Sequence, residues 1–226
     1  MELTVNTSLA ELASHVPAAA AVFHRYSLDF CCKGARSLEE ACRDKSLEPD
    51  VVLGEIRDAS APNAEHLDWT RRPLGHLVDH ILSRYHEPLR AELSRCLAMA
   101  RKVEAVHRAK ESCPHGLAEH LGQMSLDLES HMQKEEQILF PLIREGRPPA
   151  MPIRVMVKEH DDHAVALRRL RSLTSDYQPP REACATWRAL FLGLAQLERD
   201  LMEHIHLENY VLFPRSLTEQ PAERQA

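Results

Sequence analysis

His131 and Glu135 stand four positions apart in HMQKEEQILFP, residues 131–141, and the phrase returns as HIHLENYVLFP, residues 204–214, with His204 and Glu208 at the same interval. Residues four apart share one face of a helix, with Cβ atoms about 5 to 6 Å apart, so each pair presents an imidazole and a carboxylate together. Two further histidines keep step with the repeat. His86 in RYHEP and His160 in KEHDD are 74 positions apart, against 73 for His131 and His204. A carboxylate inside a protein is costly unless it is paired or binds a cation. Four imidazoles and two carboxylates at one level of a helical core therefore imply a metal, and the donor set suits iron, zinc or manganese.

Spacing alone does not select these six. His107 with Glu111 and His115 with Glu119 repeat the four-residue interval, and His76 with His80 gives two histidines at that spacing. Helix length removes two of the rivals: His107 follows His86 at about 31 Å along a straight helix, and His115 precedes His131 at about 24 Å. His206, two positions from His204, points to another face, and His163, one turn from His160, stays as a reserve ligand. Pro88 removes a backbone hydrogen bond two residues after His86 and is expected to kink that helix. The repeated LFP is read as a helix end with a hydrophobic stop.

The elements that must carry these residues begin at Leu74. Long helical stretches are expected over about 74–105, 116–145, 152–175 and 181–213, separated by CPHG, GRPP and YQPP. Four long helices with short joins predict an up-down-up-down bundle. The register of the histidines makes it a duplicated hairpin, with one histidine on the first helix of each copy and His-x-x-x-Glu on the second. Bundle interiors with such residues on facing helices are the usual housing of di-iron sites. If Glu135 and Glu208 each bridge two irons, the protein supplies eight donors, four per iron. An octahedral iron then needs a shared oxo or hydroxo group and keeps an exchangeable position, so the centre is open to small diatomics and able to surrender iron.

Residues 1–60 read as a small domain of short helices. Ser8 with Glu11 and Ser37 with Glu40 form capping boxes, in which a hydroxyl and a carboxylate satisfy free backbone donors at a helix start. Residues 61–73 read as a linker, 74–218 as the bundle and 219–226 as a tail. Cys31 and Cys32 sit in DFCCKG just before a capped helix and beside Lys33 and Arg36, a setting that favours thiolate. The alternative is two small buried residues beside a turn at Gly34.

The composition is that of an all-α protein: 226 residues, 44% hydrophobic, 5% aromatic and 7 glycines. A net charge of -6 leaves no broad cationic surface for nucleic acid or anionic lipid. No stretch approaches the ~20 apolar residues of a membrane span, and MELTVNTSLAEL lacks a signal-peptide pattern, so a cytoplasmic location is expected. Six scattered cysteines do not form a secreted disulfide framework.

DFCCKG, RYHE, SHMQKEEQILFP, KEHD and EHIHLENYVLFP, in this order and over nearly the whole chain, resemble the di-iron iron-sulfur cluster repair proteins, the RIC family of YtfE-, ScdA- and NorA-like proteins. The resemblance implies a hemerythrin-like bundle with a non-haem di-iron centre behind a small two-cysteine domain. It implies His86, His131, His160 and His204 as ligands with Glu135 and Glu208 bridging, and it makes Glu159, beside His160, a supporting or access-path residue. The family also carries a histidine at His107. The role implied is repair of clusters damaged by nitric oxide or peroxide, by donation of iron, with Cys31 and Cys32 as a redox or transfer element. The enzymatic alternative is coupling of nitric oxide to nitrous oxide, and a third reading is an oxygen or nitric oxide carrier or sensor. The implied partners are damaged iron-sulfur proteins and nitric oxide or other small diatomics, with no nucleic acid and no membrane, for a monomer or homodimer.

Overall fold

The computed structural model describes residues 3–16, 18–59, 68–147 and 149–219, and these are helix, turn and loop with a single isolated β-bridge, Ser8 to Ser37. Residues 61–67 of the expected linker and 220–226 of the expected tail lie outside the described residues. No helix among the described residues is long and apolar enough to cross a membrane. The chain divides into two compact units, Met1–Val78 with Met202–Ala226, and Asp79–Leu201.

The first unit opens with four short helices: α1 (Leu9–His15), α2 (Ala19–Arg25), α3 (Leu38–Arg43) and α4 (Pro49–Ala59). Both expected capping boxes are present. The Ser8 and Ser37 hydroxyls accept from the amides of Glu11 and Glu40, whose carboxylates accept from the serine amides in return. Helices this short are marginal alone, so packing holds them. α2 and α3 both pack on α4, around Leu9, Leu12, Phe23, Phe30, Leu38 and Ile56, all essentially without solvent contact. Each such large apolar side chain contributes about 1.5–3 kcal/mol by leaving water. α1 also packs against the turn over Glu208–Leu212, beyond which α11 (Phe213–Thr218) follows.

The second unit runs from the end of α5 (Leu74–Ile81) through α6 (Glu87–His107), α7 (Leu117–Lys134), α8 (Phe140–Arg144) and α9 (Ala150–Leu173) into α10 (Ala185–Leu207). Ion pairs fix the helix directions. Arg90 near the start of α6 meets Glu129 near the end of α7 at 2.7 Å, and Lys134 of α7 meets Glu159 of α9. Arg171 of α9 reaches Glu198 of α10 at 2.7 Å, and Arg84 reaches Asp200 of α10 at 2.7 Å. Arg90 at the start of α6 against Glu129 late in α7, and Arg84 just before α6 against Asp200 late in α10, set those neighbours antiparallel, as an up-down-up-down bundle requires. The fourth helix starts at Ala185 and not near 181. Arg188 explains the late start, because its guanidinium donates to the carbonyls of Ala183 at 3.0 Å and Arg181 at 2.8 Å and holds that segment as a turn.

The histidine and glutamate helices do not stop at their prolines, contrary to the LFP reading. α5 joins α6 through a π turn over Leu82–His86, α7 joins α8 through one over Glu135–Leu139, and α10 joins α11 through one over Glu208–Leu212. In each, the residue just before the proline donates to the carbonyl five back: Glu87 to Leu82, Phe140 to Glu135, Phe213 to Glu208. A proline inside an α-helix collides with the carbonyl four residues back, and the wider turn relieves that collision without ending the helix. Pro88 therefore inserts a bulge before α6 and leaves the helix running on.

Gly34 shows how tightly the first unit is closed. A Cβ at Gly34 falls 2.3 Å from the Phe30 carbonyl oxygen and 2.9 Å from the Tyr210 ring. Gly34→Ala is expected to destabilise the protein by about 1–3 kcal/mol, since a backbone atom cannot yield as a side chain can. Chemical denaturation checks this, and an unchanged midpoint would mean that the loop relaxes freely.

Candidate metal centre

The side chains singled out by chemistry continue the apolar stripes of their helices. On α7, Leu117, Leu121, Met124 and Leu128 are buried, and the same three- and four-residue steps carry the stripe to His131 and then Glu135. On α9 the buried series is Ile153, Met156, His160, His163, Leu167 and Leu170. Packing of the apolar positions thus turns the polar ones inward. His86, Glu135, His160 and Glu208 are 0% exposed, and His131 and His204 are 1% exposed.

In the unit Asp79–Leu201 these groups converge through defined atoms. His86 Nε2 and His131 Nε2 each lie 3.4 Å from Glu135 Oε2, and His160 Nε2 lies 3.2 Å from His131 Nε2. The outward nitrogens are held by carboxylates. His86 Nδ1 is 2.8 Å from Glu136 Oε1, and His131 Nδ1 is 3.0 Å from Glu159 Oε2. Glu159 is pulled down to about 2 by the His131 hydrogen bond, with burial opposing and Lys134 assisting. Burial works against ionisation of Glu136, but hydrogen bonds from Arg90 and His86 outweigh it and lower its pKa. An ionised carboxylate only accepts, so each Nδ1 must donate. In a neutral imidazole that leaves Nε2 as an acceptor, turned toward Glu135 and, in His131, also toward His160 Nε2. Acceptor nitrogens gathered beside a buried carboxylate make a donor set that a cation would satisfy.

In the other unit, His204 Nε2 is 2.9 Å from Glu208 Oε1. The opposite face of this helical segment holds the cysteine loop. His206 packs its ring on Phe30 at 5.6 Å and places Nε2 3.2 Å from the Ser14 hydroxyl. Burial pushes His206 down to about 4, so it is neutral at physiological pH. Asn209 Nδ2 donates to the Cys31 carbonyl at 2.9 Å, and Tyr210 packs on Gly34.

The expectation of a favoured thiolate at Cys31 is corrected. Its pKa is raised well above the ordinary value, first by the hydrogen bond with Cys32, then by burial and by Asp29. Nearby positive charge is spent elsewhere, since Arg36 pairs with Asp44 at 2.8 Å and donates to the Glu40 carbonyl. The amides at the start of α3 are already capped by Ser37.

His163 is buried with its ring edge-on to His131 at 4.9 Å. His107 ends α6 against the Trp187 ring at 5.2 Å, with Nε2 3.3 Å from Cys184 Sγ. His120 bonds the Ala166 carbonyl at 2.9 Å, and His80 packs edge-on to Tyr85. Sequence reasoning missed Glu136 and Arg90. Arg90 falls one turn after His86, on the same face, and that spacing was the available signal. It also gives His206 no role, since nothing local marks it as the anchor of a loop whose Phe30 lies 176 positions away.

Fold and site together define a helical-bundle metal-binding protein. A model of the hemerythrin HHE cation binding domain matches residues 77–216, and one of ScdA_N, a domain of unknown function, matches residues 5–60. Among curated relatives, the iron-sulfur cluster repair protein YtfE of Dickeya chrysanthemi (strain Ech1591) is 46% identical over 212 residues, 93% of this chain and 96% of the relative. The protein of the same description from Escherichia coli (strain SMS-3-5 / SECEC) is 45% identical over 211 residues, 92% of this chain and 96% of that one. The chain belongs to the hemerythrin HHE cation-binding family and to the family of these YtfE relatives.

The carboxylate hold on His86 carries a prediction. Glu136→Leu is expected to weaken metal binding by about 10- to 100-fold, because the imidazole loses the partner that fixes its proton and orientation. Competition with a chelator measures this, and an unchanged affinity would show that His86 needs no such support.

Proposed function

We propose that His86, His131, Glu135, His160, His204 and Glu208 together hold two irons, with Glu135 and Glu208 bridging, and that the protein repairs damaged iron-sulfur clusters by giving up iron from that centre. The observation that carries the reading is Glu135, a carboxylate without solvent exposure whose Oε2 is shared by His86 and His131 at 3.4 Å each. A buried carboxylate is costly unless it is paired or binds a cation, and imidazole with carboxylate is a donor set for iron. The matched cation-binding domain, residues 77–216, includes all six residues, and the relatives described as repair proteins match over nearly the whole chain.

When bound, iron supplies one-electron chemistry and open coordination positions. The chain's own residues orient and hold. Glu136 and Glu159 keep the Nδ1 protons of His86 and His131, so that Nε2 of each faces inward. Arg90 and Lys134 hold those carboxylates in turn. Glu135 and Glu208, if both bridged, would leave each iron with four protein donors, fewer than octahedral coordination takes, so bound iron would not be fully caged. In this reading Cys31 and Cys32, anchored to the helix of His204 through Asn209, receive iron on its way to the recipient, and the protein works in the cytoplasm.

Iron-loaded protein, mixed with an iron-depleted cluster protein and a chelator of intermediate affinity, is expected to lose iron to the recipient. Retention of all iron would refute donation. The donor count also favours small diatomics at the open positions, and nitrous oxide evolved after adding nitric oxide to the reduced protein would raise that enzymatic reading above donation. Glu135→Leu and Glu208→Leu are each expected to lower bound iron sharply, because a lost bridge affects both ions, whereas His107→Leu is expected to leave it unchanged. Iron near the wild-type ratio in both glutamate variants would refute bridging, and a large loss in His107→Leu would make that residue a ligand.

A further inference from the structure

The loop between α2 and α3 contains a second set of donor atoms, chemically unlike the imidazole cluster. Cys31 Sγ and Cys32 Sγ lie 3.7 Å apart, and Cys31 Sγ lies 3.4 Å from Asp29 Oδ1. One ligand atom from each of the three residues lies within 4.8 Å of the others. Neither cysteine is in a disulfide. A metal held tetrahedrally by thiolate at about 2.3 Å sets two sulfurs about 3.8 Å apart, and with oxygen at about 2.0–2.2 Å it sets sulfur and oxygen about 3.5–3.7 Å apart. The observed separations are already close to the edges of such a tetrahedron.

The loop is also held in place. The Cys32 amide donates to Asp29 Oδ1 at 3.0 Å, Asn209 holds the Cys31 carbonyl, and Gly34 has no room for a side chain against Phe30 and Tyr210. Cys31 is buried, whereas Asp29 and Cys32 are partly exposed, so the fourth position of the tetrahedron faces solvent. Three protein donors and one open position mark a site for exchange more than a structural site, which is closed by four.

We propose that Asp29, Cys31 and Cys32 form a separate binding site for a thiophilic divalent cation, which takes the ion with loss of the two thiol protons. The identity of the ion carried in the cell, iron in transit from the bundle, rests on the function proposed above, but the site itself does not. Such an ion brings together three groups that would otherwise repel as anions. Without an ion, the hydrogen bond with Cys32 and burial, with the nearby charges adding to them, keep Cys31 protonated.

The test adds one equivalent of Co2+ to the iron-loaded protein, with bundle iron assayed in the same sample. Wild type is expected to develop thiolate-to-cobalt charge-transfer absorption with the ligand-field intensity of a tetrahedral ion, at unchanged iron content. Cys31→Ser/Cys32→Ser is expected to lose the band and keep its iron. Asp29→Asn retains the oxygen that accepts from the Cys32 amide, so its loop stays in place, and its titration midpoint is expected to move to higher cobalt. A wild type without the band, or a band persisting in the double variant, overturns the site. An unmoved midpoint in Asp29→Asn overturns the three-donor assignment. None of these results bears on whether the bundle donates iron, which the transfer assay reads separately.

Discussion

Glu135 has no contact with water, and a carboxylate in that position destabilises a protein by several kcal/mol unless its charge is answered. The Nε2 atoms of His86 and His131 lie beside it, and their Nδ1 atoms face Glu136 and Glu159. The interior therefore gathers a buried carboxylate and inward imidazole nitrogens in one place. Such a cluster suits a cation, and the rest of the bundle is arranged to build it. The inward stripes of α7 and α9 deliver the donors, and the outer carboxylates fix which nitrogen each ring turns inward.

Those carboxylates are themselves held by Arg90 and Lys134 at the partly exposed edge of the bundle. A chain of three groups thus runs from surface cation to carboxylate to imidazole at two places. Each link biases the proton position of the next, and partners of this kind around a metal site generally tune affinity without touching the metal. The three π turns fit the same arrangement: each begins or ends at a buried histidine or glutamate of the cluster, and each absorbs a proline without ending the helix that carries it.

The all-α class and the capped short helices were legible because they rest on periodicity and on local pairs such as Ser37 with Glu40, and the hemerythrin-like character because the ordered motifs resemble a known family. The burial of His86, His131, Glu135, His160, His204 and Glu208 was legible because the duplicated phrase repeats at a nearly constant offset. The π turns were not, since a proline after His86 or Leu139–Phe140 reads locally as a kink or a stop, and only the packed helix shows that the chain continues. Of the two readings of Cys31, the favoured thiolate fails for a related reason. Lys33 and Arg36 are near it in sequence, yet Arg36 is committed to Asp44, and the groups that govern the thiol are Cys32, burial and Asp29. The anchoring of that loop by His206 and Asn209 depends on contacts between distant parts of the chain, which no local pattern encodes.

Crystals of the iron-loaded protein, with diffraction collected on either side of the iron absorption edge, test the central claim directly. The account predicts two anomalous peaks, both within bonding distance of Glu135, one also bonded to His86 and the other to His131 and His160. A single peak, or iron lying away from Glu135 while that carboxylate is well ordered, would contradict it.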